Sequence, residues 1–122
     1  MAGNILVIDD SRAVRALLSD ALKQSGYNVL TASDGDDGIA KYQAEQPDLV
    51  ITDLNMPNGN GIDVIKRLRS SAESKFVPIL VFTAEGPNSR KEEARLAGAT
   101  GWLKKPLRKA SLLAILRRLT GQ

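Results

Sequence analysis

Two apolar runs of this 122-residue chain end in bare carboxylates. Ile5, Leu6, Val7 and Ile8 lead into Asp9 and Asp10, and the run from Asp48 through Leu49, Val50, Ile51 and Thr52 ends on Asp53. If both runs are strands of one sheet, three acidic groups gather at one edge. Two carboxylates about 4 Å apart repel by roughly 4 kcal/mol at an effective dielectric near 20. Such a cluster must bind a divalent cation, pair with an ammonium or take up a proton. Mg²⁺ suits it, because that ion takes oxygen ligands, keeps several waters and lets a substrate phosphate complete its octahedron. Thr83 and Lys105, at the ends of two later runs, add a hydroxyl donor and an ammonium for phosphoryl oxygens. An aspartate in that company can attack phosphorus and carry an acyl phosphate.

Composition narrows the chemistry further. The chain has neither cysteine nor histidine, which excludes disulfides, thiolate metal sites and imidazole catalysis. A hydrophobic content of 43% is enough to close the core of one domain. No segment approaches membrane-spanning length, so a soluble cytoplasmic protein is expected, with no membrane partner. The net charge of +3 gathers late, at Lys104, Lys105, Arg108, Lys109, Arg117 and Arg118, yet aromatic residues make up only 4%. That balance describes a solvated basic face better than a nucleic-acid surface.

The elements that must hold these groups alternate in type. Strands are predicted at 4–9, 28–32, 48–53, 77–83 and 101–104, and helices at 11–25, 34–46, 61–72, 87–98 and 107–119. The first, third and fourth strands are almost continuously apolar, as in a parallel sheet covered on both faces. Helices of crossover length between them give a (βα)5 α/β fold, doubly wound and flavodoxin-like. In the first helix Val14, Leu17, Leu18, Ala21 and Leu22 should face the sheet. Gly26 ends that helix, Gly61 opens the third after Asn60, and Gly98 closes the fourth. Asn58-Gly59 could mark a hairpin, but the crossover helix that follows argues for a loop. Residues 1–122 read as one domain with no output module.

With strand order 2-1-3-4-5, the crevice at the point where the order reverses lies between strands one and three. Those are the strands that end in Asp9-Asp10 and Asp53. Helix capping is a plainer use for Asp9 and Asp10, but one residue suffices for that and Ser11 can serve. Only one of Lys104 and Lys105 can face the rim, because side chains alternate along a strand. The proline that follows selects Lys105 and leaves Lys104 outside.

These residues resemble the receiver domain of two-component response regulators, over essentially the whole chain. The matching pieces are Asp9-Asp10, then Asp53, Leu54, Asn55, Met56 and Pro57 with Gly61 following, then Thr83-Ala84, then Lys105-Pro106. The resemblance implies that Asp53 is the phosphoacceptor. It implies Mg²⁺ (or Mn²⁺) ligated by Asp10, Asp53 and the backbone carbonyl of Asn55, with Asp9 reaching the ion through water. Thr83 and Lys105 would hold phosphoryl oxygens, and the Lys105-Pro106 bond would be cis. Trp102 would be an aromatic switch answering Thr83, partly buried, while Met56 and Pro57 shape the loop without chemistry. Asn55 and Glu85 would tune dephosphorylation, and their polar side chains imply a short-lived phosphoryl group.

The partners implied are a histidine kinase or a histidine phosphotransfer protein, and a downstream protein target, for a monomer that turns over no other substrate. The stretch from Gly98 to Pro106 looks like chemotaxis receivers of the CheY type. Arg90, Lys91, Arg95, Lys104 and Arg108, around Trp102, would then offer a basic face to an acidic target. Arg12 and Arg15 lie near the rim and would help dock the kinase. A receiver that shuttles phosphate or acts as its sink is the alternative within signalling. A haloacid dehalogenase-like phosphatase expects Asp-x-Asp after strand one, where this chain has Asp9, Asp10 and Ser11. An FMN carrier needs a hydroxyl- and glycine-rich loop at the same place, and a nucleic-acid module lacks a supporting motif.

Overall fold

The computed structural model of the protein describes residues 3–56, 60–84 and 90–121. In chain order the elements are β1 (Asn4–Ile8), α1 (Arg12–Gln24), β2 (Asn28–Ala32), α2 (Gly35–Glu45), β3 (Leu49–Thr52), α3 (Gly61–Arg69), β4 (Ile79–Thr83), α4 (Lys91–Ala97), β5 (Gly101–Lys104) and α5 (Lys109–Thr120). The strands pair in parallel in the order β2-β1-β3-β4-β5. The expected doubly wound (βα)5 sheet is therefore present.

The apolar runs follow from two cores. Leu6, Ile8, Val50, Ile79 and Val81 pack against α2, α3 and α4 on one face of the sheet. Ile5, Val7, Leu49, Ile51, Leu80 and Phe82 pack against α1 and α5 on the other. Successive residues point to opposite faces and both faces are covered, so the central strands carry no polar alternation.

Side-chain caps set where three helices begin. Ser11 accepts from the Val14 N–H, Asp34 from the Asp37 N–H, and Asn60 from the Asp63 N–H. Each satisfies an amide that the helix itself leaves without a partner. Since Ser11 caps α1, neither Asp9 nor Asp10 is used for that purpose. Helix α1 closes at Ser25, just before Gly26, and α4 at Gly98.

Several element ends differ from expectation. Asp9 and Asp53 lie one residue beyond β1 and β3, where the ladder stops and their side chains are released to the rim. Strand β4 starts at Ile79 rather than 77, because Pro78 has no N–H for the ladder. Helix α3 stops at Arg69 rather than 72, where Ser74 Oγ donates to the Leu68 carbonyl in a turn that leads toward β4. One helix-face assignment is also corrected: Leu17 is 58% exposed, while Leu18, Ala21 and Leu22 are buried. At 100° per residue Leu17 falls at the edge of the stripe centred between Val14, Leu18 and Ala21. Pro57, Asn58-Gly59, Glu85 and the expected start of the fourth helix at 87 lie outside the described residues. Among the described residues no helix is long and apolar enough to cross a membrane.

Candidate functional site

The ladder brings the acidic strand ends together. The Asp53 N–H donates to the Ile8 carbonyl and the Asp9 N–H to the Ala32 carbonyl, both at 3.0 Å. After β1 the chain turns into α1 on one face, and after β3 into α3 on the other, so the rim opens between them. On the far side the Lys105 N–H donates to the Thr83 carbonyl at 2.8 Å, which fixes the end of β5 beside Thr83.

One carboxylate oxygen from each of Asp9, Asp10 and Asp53 lies within 4.8 Å of the others. Asp9 and Asp53 are buried and Asp10 is exposed. Lys105 Nζ sits 2.9 Å from Asp53 Oδ2 and 3.0 Å from Asp9 Oδ2. Three carboxylates against one ammonium leave two negative charges, which match a divalent cation. Asp53 Oδ1 accepts from the Leu54 N–H at 2.7 Å and, less closely, from the Asn55 N–H at 3.4 Å. Asp9 Oδ1 accepts from the Ser11 N–H at 2.9 Å. Asp9 Oδ2 is buried, and its one close cation among the described residues is the Lys105 ammonium at 3.0 Å. One ammonium shared between two of three clustered carboxylates leaves oxygen ligands over for a metal ion or its bound water. The donor set therefore fits Mg²⁺, with Asp10 and Asp53 as the carboxylates nearest solvent and rim.

Of the sequence-selected residues, Asp9, Asp10, Asp53 and Lys105 are thus brought together, and the Thr83 backbone is joined to Lys105. Asn55 borders the cluster through its N–H and has an exposed side chain. Thr83 is fully buried at the end of β4. The Lys105-Pro106 bond is cis. Lys104 is exposed, as alternation requires. Trp102 is partly buried against the α2-α3-α4 core, two residues before Lys104 and paired with Val81. A groove of about 270 Å³ beside it is bordered by Lys91, Ala94, Arg95 and Thr100.

The basic face around that groove is weaker than its residue types suggest. Arg90 pairs with Glu93, and Arg95 with Glu92, both within α4 or at its cap. Lys91, Lys104 and Arg108 are exposed without an ion pair among the described residues.

Three contacts at the rim were not foreseen from the sequence. Arg15 donates to the Asp9 carbonyl at 2.7 Å, which ties α1 to the rim. The Leu54 amide orients the Asp53 carboxylate. Gly61 donates its N–H to the Leu54 carbonyl at 2.9 Å, and a Cβ there would lie 2.1 Å from the Asp53 carbonyl oxygen. Gly61 left a sequence signal, a glycine directly after the helix-capping Asn60, and Arg15 was expected near the rim, though as a docking residue rather than a tie to Asp9. The Arg15 and Leu54 contacts themselves depend on side-chain direction and backbone position.

Burial is the main influence on Asp9 and raises its pKa, against the lowering effects of the Ser11 amide and Lys105. For Lys105 burial works downward, but the hydrogen bonds and charges of Asp53 and Asp9 outweigh it and the pKa rises above 10.5. The stabilising contribution of Lys105 is therefore complete below pH 10.5 and lost as pH climbs through its raised folded value. Asp9 acts in the opposite sense, since its ionised form is disfavoured in the fold, and it adds stability as pH falls toward 3.8. In the presence of a chelator, Lys105→Met should cost about 2 kcal/mol at neutral pH, the figure for a broken ion pair reduced for partial exposure. Urea unfolding followed against pH should show that the variant lacks the alkaline loss of the parent and gains more on acidification.

A five-stranded doubly wound sheet with an acidic cluster and an overhanging lysine at its switch point defines a receiver-type domain. The profile of the response regulator receiver domain matches residues 5–117, and the chain belongs to that family. It is 38% identical over 122 residues to the alkaline phosphatase synthesis transcriptional regulatory protein PhoP of Bacillus subtilis, covering 97% of this chain and 50% of that protein. The chain thus spans about half the length of the curated relatives it matches. Among solved structures, the Vibrio cholerae chemotaxis protein CheY4 superposes with a TM-score of 0.93 at 39% identity, covering 98% of this chain and 99% of that one. The receiver domain of sensor histidine kinase PA1611 from Pseudomonas aeruginosa superposes with a TM-score of 0.92 at 25% identity, covering all of both chains. That structure has a magnesium ion coordinated in its active-site cleft.

Proposed function

We propose that Asp53 accepts a phosphoryl group from a histidine kinase or a histidine phosphotransfer protein, and that the modified domain changes its grip on a downstream protein. The observation that carries this reading is the position of Lys105 Nζ, 2.9 Å from Asp53 Oδ2 inside a cluster of three carboxylates. In the transfer, an Asp53 oxygen forms a bond to phosphorus while the bond from phosphorus to the donor's imidazole nitrogen breaks, and the imidazole leaves with the electron pair. Lys105 and the Thr83 hydroxyl bind phosphoryl oxygens, and the Leu54 amide keeps the Asp53 carboxylate aimed at the rim. Asp10, Asp53 and the Asn55 carbonyl would hold Mg²⁺ or Mn²⁺, with Asp9 behind them, and the ion supplies charge neutralisation for the transferring group. Asn55 and Glu85 set the lifetime of the acyl phosphate, whose formation and hydrolysis are the only reactions the domain performs.

The same reading makes the surface of α4, β5 and α5 the partner face and Trp102 its reporter. Thr83 and Trp102 lie on one face of neighbouring strands, separated by a single rung. Placement in chemotaxis or motility signalling is favoured by the match to CheY4, which this chain covers almost end to end. Phosphate shuttling or storage is the second reading, favoured by neighbours that are receiver domains of histidine kinases. Family membership counts against the dehalogenase-like phosphatase. A cytoplasmic, monomeric protein that binds no nucleic acid belongs to the same reading.

Phosphoramidate, a small donor with a phosphorus–nitrogen bond, tests this in the presence of Mg²⁺. One phosphoryl group should appear by intact mass, together with a change in Trp102 emission; an unchanged mass sinks the reading. Mg²⁺ alone should also stabilise the protein. At a free concentration a hundred times its dissociation constant the gain is about 2.7 kcal/mol, visible as a melting shift that a chelator reverses and Asp10→Asn removes.

A further inference from the structure

Both phenylalanines of the chain lie under a lysine, in opposite surroundings. Lys75 Nζ is 5.2 Å from the ring centroid of Phe76, which is 86% exposed. Lys105 Nζ is 5.7 Å from the ring centroid of Phe82, which is buried in the core that α1 and α5 cover. Both distances fall within the roughly 6 Å over which an ammonium is drawn to the negative face of a ring. At Phe76 water competes for the ammonium and weakens the attraction. At Phe82 it competes far less, since the Lys105 side chain is 18% exposed.

The strand order puts this ring on the path of the cation. Phe82 and Thr83 are the last two residues of β4, so their side chains leave on opposite faces of the sheet. Phe82 is paired with Leu103 of β5, and the Lys105 N–H is bound to the Thr83 carbonyl. Lys105 therefore starts beyond β5 and passes the end of β4 to reach Asp53 beyond β3 and Asp9 beyond β1. Its ammonium meets two carboxylates at 2.9 and 3.0 Å and the ring of Phe82 as a third neighbour.

Residue type matters at this position. An aliphatic wall strips water from an ammonium without attracting it. An aromatic face excludes water and attracts the charge together. Ile79, Leu80 and Val81 fill the rest of β4, and the aromatic residue stands on the rung beside the cation. During phosphoryl transfer Asp53 gives its charge to the new oxygen–phosphorus bond, and the ammonium exchanges that partner for a phosphoryl oxygen. Asp9 and the ring stay. Their hold therefore counts for more in the transition state than in the resting site, which is the condition for an interaction to raise the rate.

We propose that Phe82 is a positioning residue for phosphoryl transfer: the face of its ring holds the Lys105 ammonium at the rim while Asp53 exchanges its charge for a bond to phosphorus. The role in transfer rests on the reading of Asp53 as phosphoacceptor; the contact between ring and ammonium does not.

Fluorination of this one ring tests both parts, because each fluorine withdraws negative charge from the ring face and changes its shape little. The full chain is made with phenylalanine carrying one, two or three ring fluorines in place of Phe82 alone, in the parent and in Lys105→Met. Urea unfolding with a chelator present should show the unfolding constant of the parent rising with each fluorine, by about fivefold or more for three, the factor expected for losing a partly desolvated cation–π contact. In Lys105→Met the same series should change it by less than about twofold, the spread of independent effects. Phosphoryl uptake from phosphoramidate and Mg²⁺ should fall in the same order in the parent, again by about fivefold or more. Equal changes in the two backgrounds overturn the contact, since the fluorines then act on packing alone. Uptake that stays level across the series while the unfolding constants differ between backgrounds overturns the positioning role. A parent that takes up no phosphoryl group overturns the phosphoacceptor reading and that role with it, while the unfolding pair still decides the contact. If the chain with three fluorines does not fold, those with one and two give the same comparison.

Discussion

Replacing Asp53 by Asn should reduce phosphoryl uptake by at least about a thousandfold, the order of loss when a nucleophile is removed outright. The fold should survive. The side chain keeps its size, and its amide oxygen can still accept from the Leu54 N–H that Asp53 Oδ1 now engages at 2.7 Å. Lys105 retains Asp9 at 3.0 Å, so the ammonium is not stranded. The comparison is made by intact mass after phosphoramidate and Mg²⁺, with far-ultraviolet circular dichroism as the control for folding. Labelling of Asp53→Asn at the parent rate would place the acceptor elsewhere.

Gly61→Ala should give the largest loss of stability of any single methyl added near the site. The new carbon would lie 2.1 Å from the Asp53 carbonyl oxygen and 2.9 Å from Leu54 Cα. Both obstacles are backbone atoms, so no side chain can rotate away. Relief requires moving the start of α3 or the end of β3 by about 1 Å, at a cost of about 3 kcal/mol. For a domain of this size that is a fall of roughly 10 °C or more in Tm. The same displacement reaches the acceptor, because Asp53 carries the carbonyl being pushed. Misplacing a reacting group by about 1 Å can cost a hundredfold in rate, so phosphoryl uptake should drop with stability. Calorimetry and labelling at a temperature where the variant remains folded would separate the two effects; a variant that melts and labels like the parent would contradict the steric account.

The part of the fold legible in the sequence is the part dictated by solvent exclusion. Strands buried on both faces must be apolar along their length, and β1, β3 and β4 are, save for one polar residue at an end of each, Asn4, Thr52 and Thr83. The same reasoning located the rim, because polar residues that end such strands have nowhere to point except past the sheet edge. Asp9, Asp53, Thr83 and Lys105 follow from it. Contacts set by side-chain direction were not legible. Leu17 shares its type with Leu18 but sits at the edge of the stripe that faces the sheet, and it is exposed. Arg90 and Arg95 looked like surface charge for a partner, and neighbouring glutamates of α4 take both. Arg69 carries no pattern at all, since its partners are backbone carbonyls and a threonine brought together only by the packing of α3, α4 and β5. Strand and helix ends slipped by one to three residues wherever a cap, a proline or a turn decided them.

The central claim is that carboxylates from two neighbouring strand ends form a single cation site overhung by Lys105. Crystals grown with Mn²⁺ and measured at its absorption edge test this most directly. The expected result is one anomalous peak at bonding distance from the carboxylates of Asp10 and Asp53, with Lys105 alongside. Crystals of well-ordered protein that show no peak there, or a peak bound by residues away from the ends of β1 and β3, would contradict it.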